Sequence, residues 1–377
     1  MSFESSGKLP TFLFHDSVKS LLVTSKYVLD SLNLWPENQK GLSKFMHCFY
    51  LLSYVYFMYG NLYYVFTNTD VGAIAYGLTV TGVLIETILR RVLMYAYRHR
   101  INKFLSDIYS LFWPSTLNGD DQHKQLEKEA RYLLGYCIAY SFSALSATTM
   151  YITVPMTTMN TPFMTAYPFN WRKNPYYSLL YAWEGVCFIE TVSTICGWNL
   201  FFASLGYNCV AQFKLLNTHI KQNFLKNKYN LANQKKFITK CVLHHYTILD
   251  LSKELNQIFY YFNLSLFLSS IQTCCLSAFV VTAVPELFAF GCFYFCGHAC
   301  QLFLYCYLGN EMALESMELA TTVYTCGWET CDTDKDLRSA LVMIIRRAQK
   351  PVQLSAGGFG YLHLSSFMKV LHTPLVH

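Results

Sequence analysis

The chain has 377 residues, of which 53% are hydrophobic and 14% are charged, with a formal net charge of +6. Soluble domains carry about 25% charged residues, so this composition excludes an ordinary soluble domain and indicates an integral membrane protein in contact with lipid. The basic residues lie between apolar segments rather than in one patch, which excludes nucleic acid as a partner.

The amino-terminal segment, residues 1–44, mixes acidic and basic side chains and contains an amphipathic piece around Val18–Leu32. This pattern predicts a cytosolic entry segment. No cleavable signal peptide is expected, because the first apolar run comes too late in the chain and is too long.

Six apolar segments follow within residues 45–335, and each is long enough to cross a membrane as a helix. The predicted spans are Phe45–Phe66, Val71–Leu89, Tyr132–Thr158, Tyr177–Val210, Ile258–Val284 and Leu287–Gly309.

The connections between these spans differ in character. Arg90–Arg131 is basic, and Met159–Tyr176 is an irregular loop rich in proline and aromatic residues. Lys214–Gln257 is predicted to form a mostly helical stalk into the fifth span, with the histidine pair 244–245 on its solvated face. Asn310–Lys335 is acidic and then turn-like.

Residues 336–377 predict a seventh helix in two parts. Apolar residues recur at three- and four-residue steps from Asp336 to Gln349, which is typical of a helix, and Pro351 ends it. The glycine pair 357–358 gives a break, and a second helix-length segment, Phe359–Val376, follows. Its polar side chains suit a helix that faces water inside a membrane rather than lipid.

The basic residues predict the orientation. Of the 29 Lys and Arg residues, 26 lie in the amino terminus and in the second-to-third, fourth-to-fifth and sixth-to-seventh connections. Because positively charged connections stay in the cytosol, the amino terminus is predicted to be cytosolic and the carboxy terminus extracytosolic. The fold class is therefore all-α: a seven-helix membrane bundle with a split seventh helix.

The carboxy-terminal stretch resembles that of insect odorant receptors. The similarity lies in Leu341–Ile345, Arg347–Pro351, Leu354–Gly357 and Phe359, followed by the Leu-Ser-Ser-Phe-Met-Lys-Val-Leu string 364–371. The spacing of apolar segments resembles the family along nearly the whole chain. Family members usually continue with Ser-Tyr-Ser and aromatic residues, whereas this chain has Thr-Pro-Leu-Val-His at 373–377, which predicts a shortened pore helix.

This resemblance implies an odorant-binding tuning subunit of a ligand-gated, nonselective cation channel in the plasma membrane of olfactory sensory neurons. It implies two partners: a small volatile odorant, and a shared co-receptor with which the chain forms a heterotetramer. The family co-receptor carries a larger insertion before the fifth span, and this chain lacks it. The alternatives are a metabotropic seven-helix receptor, which would have an extracellular amino terminus, and a secondary transporter, which would show inverted repeats.

The outer halves of four spans predict the ligand site, because each contributes residues at helical steps that line one face. Together they would form an apolar, aromatic pocket with a few hydroxyl groups, suited to a small volatile, and the resemblance implies that this region holds odorants. Helical packing is the bland alternative for such stripes. The predicted lining residues are Tyr76, Thr79, Val83, Ser143, Ser146, Met150, Trp183, Cys187, Thr191, Phe290 and Tyr294.

Three carboxylates fall inside predicted spans, where an ionised group is costly and tends to be functional. Glu184 lies close enough to the outer surface for its carboxylate to reach water. Glu86 and Glu190 need partners inside the bundle, which the sequence does not identify.

The resemblance also implies that Leu337–Gln349 is an anchor helix and that Phe359–Val376 surrounds a central pore. Ser366, Lys369 and Thr373 lie at three- and four-residue steps and are the predicted pore-facing residues. No hydrolase, nucleotide-binding or redox motif is present, so no enzymatic activity and no cofactor are expected. Cysteines 292, 296 and 300 share a helix face, which favours packing over a metal site.

Overall fold

The computed structural model describes residues 17–37, 41–157, 160–227, 230–283, 288–331 and 334–372. These residues form ten α-helices and no β-strand beyond one isolated antiparallel bridge between Ser355 and Tyr361. The all-α prediction is confirmed. The helices are α1 Ser17–Ser31, α2 Gly41–Thr67, α3 Val71–Ala96, α4 Arg98–Leu111, α5 Asp120–Thr157, α6 Tyr176–Asn223, α7 Leu231–Ala283, α8 Phe288–Tyr324, α9 Lys335–Ala348 and α10 Leu364–His372.

Four helices within the described residues are long and apolar enough to cross a membrane: α3, α5, α6 and α7. The first predicted span, α2, is 27 residues long, but its many tyrosines dilute its apolar character. A three-residue connection joins α2 to α3, and the Asp70 side chain accepts a hydrogen bond from the Ala73 amide, 2.8 Å away, at the start of α3. This carboxylate satisfies one of the amide groups that a helix start leaves unpaired.

Helix α6 is the centre of the bundle. Every residue from Gly197 to Phe213 is buried, which is typical of a helix surrounded by other helices. Aromatic rings hold it to its neighbours: Phe202 stacks on Tyr305 of α8 at 4.0 Å between centroids, and Trp198 meets Phe262 of α7 at 5.2 Å.

The helices continue well beyond the predicted spans. Helix α8 continues through the acidic part of Asn310–Lys335 to Tyr324, and the turn-like part follows it. The carboxy-terminal part of α6, which the basic residues predict to be cytosolic, packs against this extension of α8. Glu318 pairs with Lys221 at 3.0 Å, and Glu315 lies 3.9 Å from Lys214. The acidic face of α8 is therefore packed against a basic face of α6.

The prediction that His244 and His245 lie on a solvated face is wrong. Both are buried, with 4% and 5% of their surface exposed. The His244 ring stacks on Trp113 at 3.8 Å between centroids, and its Nε2 lies 3.0 Å from the Gln212 side-chain oxygen. A connector residue, Trp113, therefore covers this face of α7, which helical periodicity within α7 does not reveal.

The split of the seventh helix is present, but its second half begins later than predicted. Helix α9 ends at Ala348, and residues 355–361 form a small turn closed by the Ser355–Tyr361 bridge. Gly357 and Gly358 have φ values of 64° and 81°, which residues with a Cβ rarely adopt. Residues 359–363 belong to this turn region rather than to the pore helix, and α10 starts at Leu364.

Candidate functional site

A buried aromatic cluster lies between α2, α3 and α6 in the predicted outer half of the bundle. We call it the outer cluster; its buried members are Tyr54, Phe57, Tyr76, Val80, Leu84, Phe163, Met164, Cys187 and Phe188. The Phe163 ring stacks on Phe57 at 5.3 Å and meets Phe188 edge to face at 5.2 Å. A loop residue therefore joins the two helices that flank it.

Glu184 of α6 holds that loop in place. Its carboxylate accepts hydrogen bonds from the Phe163 amide at 3.1 Å and from the Thr165 hydroxyl at 2.5 Å. The Glu184 side chain has no exposed surface, so the prediction that it reaches the outer surface is wrong. Buried loop amides need acceptors, and this carboxylate supplies one. From the other side, the Asn61 amide donates to the Phe163 carbonyl at 3.0 Å.

The two remaining carboxylates form a buried ionic layer below the outer cluster, and their partners are adjacent arginines of α3. Arg90 donates to Glu86 at 2.6 Å, and Ser269 of α7 also donates to that carboxylate. Arg91 donates to Glu190 of α6. Both arginines have no exposed surface. Charge in such a position is tolerated because it is paired and hydrogen-bonded.

The hydroxyl of Tyr54 connects the ionic layer to the outer cluster. It donates to the Glu190 carboxylate and lies 3.3 Å from the Cys187 carbonyl. The Thr191 hydroxyl donates to the Tyr54 hydroxyl oxygen at 3.2 Å. The Arg91 guanidinium lies 4.8 Å from the centroid of the Tyr50 ring, a cation–π contact. A shift of the Tyr54 ring would therefore alter the surroundings of the ion pair.

Six of the predicted ligand-site residues come together at the outer cluster. Tyr76 and Cys187 are among its buried members, and Met150 and Tyr294 pack against it. Thr79 is buried, and its carbonyl accepts from the Tyr294 hydroxyl at 3.4 Å. Thr191 contacts the cluster through the hydrogen bond from its hydroxyl to the Tyr54 hydroxyl.

The other predicted ligand-site residues lie elsewhere. Ser143 and Ser146 are exposed, and their hydroxyls donate to carbonyls of their own helix. Trp183 is 36% exposed and contacts Phe49 of α2 edge to face at 4.8 Å. Val83 is half-buried on α3. Phe290 belongs to α8, and its side chain lies outside the described part of the chain. None of these assignments is tested by the structure, so all stay predictions.

A cavity of about 520 Å³ lies between α5 and α8, beside the outer cluster. Its walls include Ser143 and Ala147 of α5 and Cys292, Phe293 and Cys296 of α8. Ala147 also packs against the outer cluster, so one residue borders both. The cavity lining is apolar and aromatic with few polar groups, as in pockets for small apolar ligands.

Sequence reasoning missed three of the residues that build this region: Tyr54, Phe57 and Phe163. It named Glu184 but missed its role in holding the loop. The sequence does carry a signal that Tyr54 and Phe57 share one face of α2, because Tyr50, Tyr54 and Phe57 recur at four- and three-residue steps. The entry of Phe163 into the bundle had no sequence signal beyond the aromatic content of its loop.

The predicted pore residues lie on or after α10. Ser366 is half-buried, and its hydroxyl donates to the Tyr361 carbonyl at 2.8 Å. Lys369 is exposed. Thr373 lies outside the described residues. The pore assignments stay predictions.

An apolar groove of about 620 Å³ lies at the other end of the molecule, between α7 and α9. Leu243, Tyr246 and Met343 line it and are 62%, 69% and 62% exposed. Lys235 lies at one end, paired with Asp334. We call this surface the α7–α9 groove.

Comparison with known proteins gives a consistent result. The 7tm Odorant receptor family matches residues 70–374. In Drosophila melanogaster, odorant receptor 13a is 27% identical over 237 residues, which is 57% of this chain and 55% of that protein. Odorant receptor 67c is 23% identical over 262 residues, 67% of this chain and 64% of that protein. The chain thus spans about half the length of the curated relatives it matches.

The fold is similar to that of the insect olfactory receptor OR5 from Machilis hrabei, solved alone and in complex with eugenol. The TM-score is 0.80, with 15% sequence identity over 95% of this chain and 96% of that chain. A likeness over nearly the whole of both chains supports a seven-helix membrane fold.

Proposed function

The chain belongs to the 7tm odorant receptor family, and from that premise we propose that it is the odorant-binding subunit of a ligand-gated, nonselective cation channel. In this proposal it works with a shared co-receptor as a heterotetramer in the plasma membrane of insect olfactory neurons. The ligand is a small apolar volatile.

The observation that carries the ligand proposal is the outer cluster together with the adjoining α5–α8 cavity. The cavity volume of about 520 Å³ lies within the range of about 300–1,000 Å³ typical of small-molecule sites. The cavity lining offers a mostly apolar surface with the Ser143 hydroxyl as a polar group, and the adjoining outer cluster adds buried aromatic rings. The eugenol complex of OR5 shows that a receptor of this fold holds a small aromatic volatile, which supports a ligand of that size here.

The α7–α9 groove supports the assembly proposal. Monomeric proteins rarely leave contiguous apolar side chains such as Leu243, Tyr246 and Met343 open to water. A neighbouring subunit packed against this cytosolic surface would cover them. Assembly around a common axis would then bring the α10 helices of several subunits together around the proposed pore.

The ionic layer supports a route from ligand to pore. The Tyr54 hydroxyl touches both the outer cluster and Glu190, whose partner Arg91 stands beside Arg90 on α3. Ser269 of α7 binds Glu86, the partner of Arg90. A ligand that packs against Tyr54 better in one arrangement of these helices raises the population of that arrangement. The size of the shift is limited by the difference between the ligand's affinities for the two arrangements.

The test is calcium imaging of cells that express this chain with the co-receptor, screened against a panel of volatiles. Cells with the co-receptor alone give the background. Once an active volatile is found, Ala147→Phe narrows the junction between the cavity and the outer cluster. The matched control is Leu145→Phe, two residues away on α5, where the side chain is 48% exposed and lines neither feature.

We expect Ala147→Phe to raise the half-maximal concentration of the active volatile at least about tenfold, the effect of about 1.4 kcal/mol of lost binding energy. Leu145→Phe should leave it unchanged. Robust odorant-evoked current from the chain without any co-receptor would contradict the assembly proposal. Equal responses of the two variants would contradict the ligand site.

A further inference from the structure

A second cavity lies near the cytosolic end of the same helices, and it differs chemically from the proposed odorant site. It measures about 200 Å³ and lies between α5, α6 and α8. Five aromatic rings and one carboxylate line it: Tyr132, Tyr136, Tyr207, Phe303, Tyr307 and Glu129. We call it the inner cavity.

The rings form a continuous aromatic wall. Tyr136 and Phe303 lie 6.1 Å apart between centroids, and Phe303 and Tyr307 lie 6.0 Å apart. On the opposite side, Tyr207 is fixed because its hydroxyl donates to the Leu126 carbonyl at 2.7 Å. Aromatic rings around a small volume present negative π faces, the arrangement that recognises organic ammonium groups.

The charges around the inner cavity favour a cation as well. Three carboxylates, those of Glu129, Glu311 and Glu315, are grouped around Lys214. Its ammonium is 2.7 Å from Glu129 and 3.9 Å from Glu315. Even with Lys128 counted, two ammonium groups face three carboxylates, which leaves this group of charges net negative. One ring of the cavity already makes a cation–π contact within the chain: the Lys128 ammonium lies 5.9 Å from the Tyr132 centroid.

From these observations we propose that the inner cavity binds a small organic ammonium ion, of the size of choline or a short protonated alkylamine. A water molecule occupies about 30 Å³ in the liquid, so a cavity of about 200 Å³ has room for about seven non-hydrogen atoms. Choline has that size. The ammonium would come either from a free amine in the cytosol or from the headgroup of a choline phospholipid in the inner leaflet.

Tyr136 connects the inner cavity to the proposed odorant site. Its ring lines both the inner cavity and the α5–α8 cavity, and its hydroxyl donates to the Cys300 carbonyl at 2.7 Å. An ammonium against this ring would restrict the wall that the two cavities share. The inner cavity is then a modulatory site, a consequence that rests on the proposed function, whereas the binding itself does not.

Binding is measured on the full chain purified in a nonionic detergent, by saturation-transfer NMR of the choline methyl protons. The comparison ligand is 3,3-dimethylbutan-1-ol, which has the shape of choline but carbon in place of the charged nitrogen. We expect choline to bind at least about tenfold more tightly, because only the charged ligand gains cation–π attraction to the rings. Equal affinity of the two ligands would overturn the proposal. No odorant is needed, so the result is independent of the proposed odorant response.

Three variants locate the site. Tyr307→Leu should weaken choline binding at least about fivefold, because it removes one π face. Tyr307→Phe keeps the face and should bind like the parent chain. Tyr324→Leu, a 67% exposed tyrosine on the same helix, is the matched control and should also bind normally. Where Tyr307→Leu does not fold, Tyr132→Leu replaces it, since Tyr132 is 69% exposed. Parent-like affinity in the leucine variants would overturn the proposal.

Nanodiscs distinguish the two sources of the ammonium. If free choline binds in phosphatidylglycerol discs but not in phosphatidylcholine discs, the lipid headgroup occupies the inner cavity. If it binds equally in both, the natural ligand is a free amine. Absence of choline binding in detergent and in phosphatidylglycerol discs would refute the site.

Discussion

The two ends of this molecule differ in how their unfavourable groups are satisfied: buried carboxylates at one end have partners, whereas apolar side chains at the other end are exposed. At the outer cluster and in the ionic layer below it, the carboxylates of Glu184, Glu86 and Glu190 are all hydrogen-bonded within the chain. At the cytosolic end, the α7–α9 groove leaves Leu243 and Met343 62% exposed. The helices around the outer cluster satisfy their charged groups within this chain, whereas the α7–α9 groove leaves apolar side chains uncovered.

This difference suggests a division of labour. A ligand site needs walls whose positions are fixed before the ligand arrives, and the buried ionic layer and the Glu184-held loop fix them. An assembly surface needs apolar area that a neighbouring subunit can cover. Four substitutions test this difference, and the first should cost the most stability.

Arg91→Met should have the largest effect, because it leaves the Glu190 carboxylate buried without its charge partner. Removing one member of a buried pair costs about 3–5 kcal/mol. We expect a loss of folded receptor, measured by fluorescence-detected gel filtration of heated samples. The double variant Arg91→Met/Glu190→Leu should recover part of the loss.

The matched control is Lys221→Met, which breaks the pair between Lys221 and Glu318. Those side chains are 51% and 44% exposed, and such pairs contribute about 0–1 kcal/mol. If Arg91→Met and Lys221→Met unfolded at the same temperature, the outer half would not depend on its ionic layer.

Met343→Asp tests the cytosolic end. It places a charge in the apolar centre of the α7–α9 groove, where a central interface residue contributes about 2 kcal/mol or more. Co-purification with the co-receptor should fall about thirtyfold, while the melting temperature of the isolated chain should stay unchanged. Leu111→Asp, at a 51% exposed position on α4, should leave co-purification intact. Undiminished co-purification of Met343→Asp would mean that assembly uses another surface.

Glu184→Ala should loosen the loop that carries Phe163 into the outer cluster. It leaves the Phe163 amide and the Thr165 hydroxyl without their acceptor, at a cost of about 1–3 kcal/mol. Hydrogen exchange of residues 160–171 should accelerate, with no change in α9. Glu184→Gln keeps an acceptor oxygen and should have a smaller effect. Unaltered exchange in Glu184→Ala would show that the Glu184 carboxylate does not hold the loop in place.

Loss of the Asp334 carboxylate charge at the start of α9 should have the smallest effect on stability. Its carboxylate pairs with Lys235 and accepts from the Leu337 amide at 3.0 Å, and these two partners lower the pKa of Asp334 below its usual value. The stabilisation is therefore complete above the unfolded pKa of about 3.8 and is lost as the pH falls through the lower folded pKa. We expect exchange of the Leu337 amide to accelerate below that range.

In Asp334→Ala the Leu337 amide should already exchange fast at neutral pH, and acid should add little. Asp336→Ala is the control: that carboxylate is 87% exposed, 3.6 Å from Lys235, and has no capping contact. Acid-dependent exchange that persists in Asp334→Ala would assign the effect to another group.

Much of the architecture could be predicted from the sequence because apolar runs and helix-ending residues are local signals. The positions of the membrane helices, the short connection before Val71, the end of the helix before Pro351 and the break at Gly357 all follow from such signals. The family assignment followed from the carboxy-terminal string. Six of the eleven residues predicted to line a ligand site meet at the outer cluster because helical steps select the face that points inward.

Only the tertiary structure decided which distant groups meet. The partners of Glu86 and Glu190, the burial of Glu184 beneath a loop and the cover that Trp113 gives His244 all depend on contacts between separate helices. A sequence shows that a buried charge needs a partner, because desolvation is costly at any position. It does not show which partner, because that choice is made by helix packing over distances that no local pattern records.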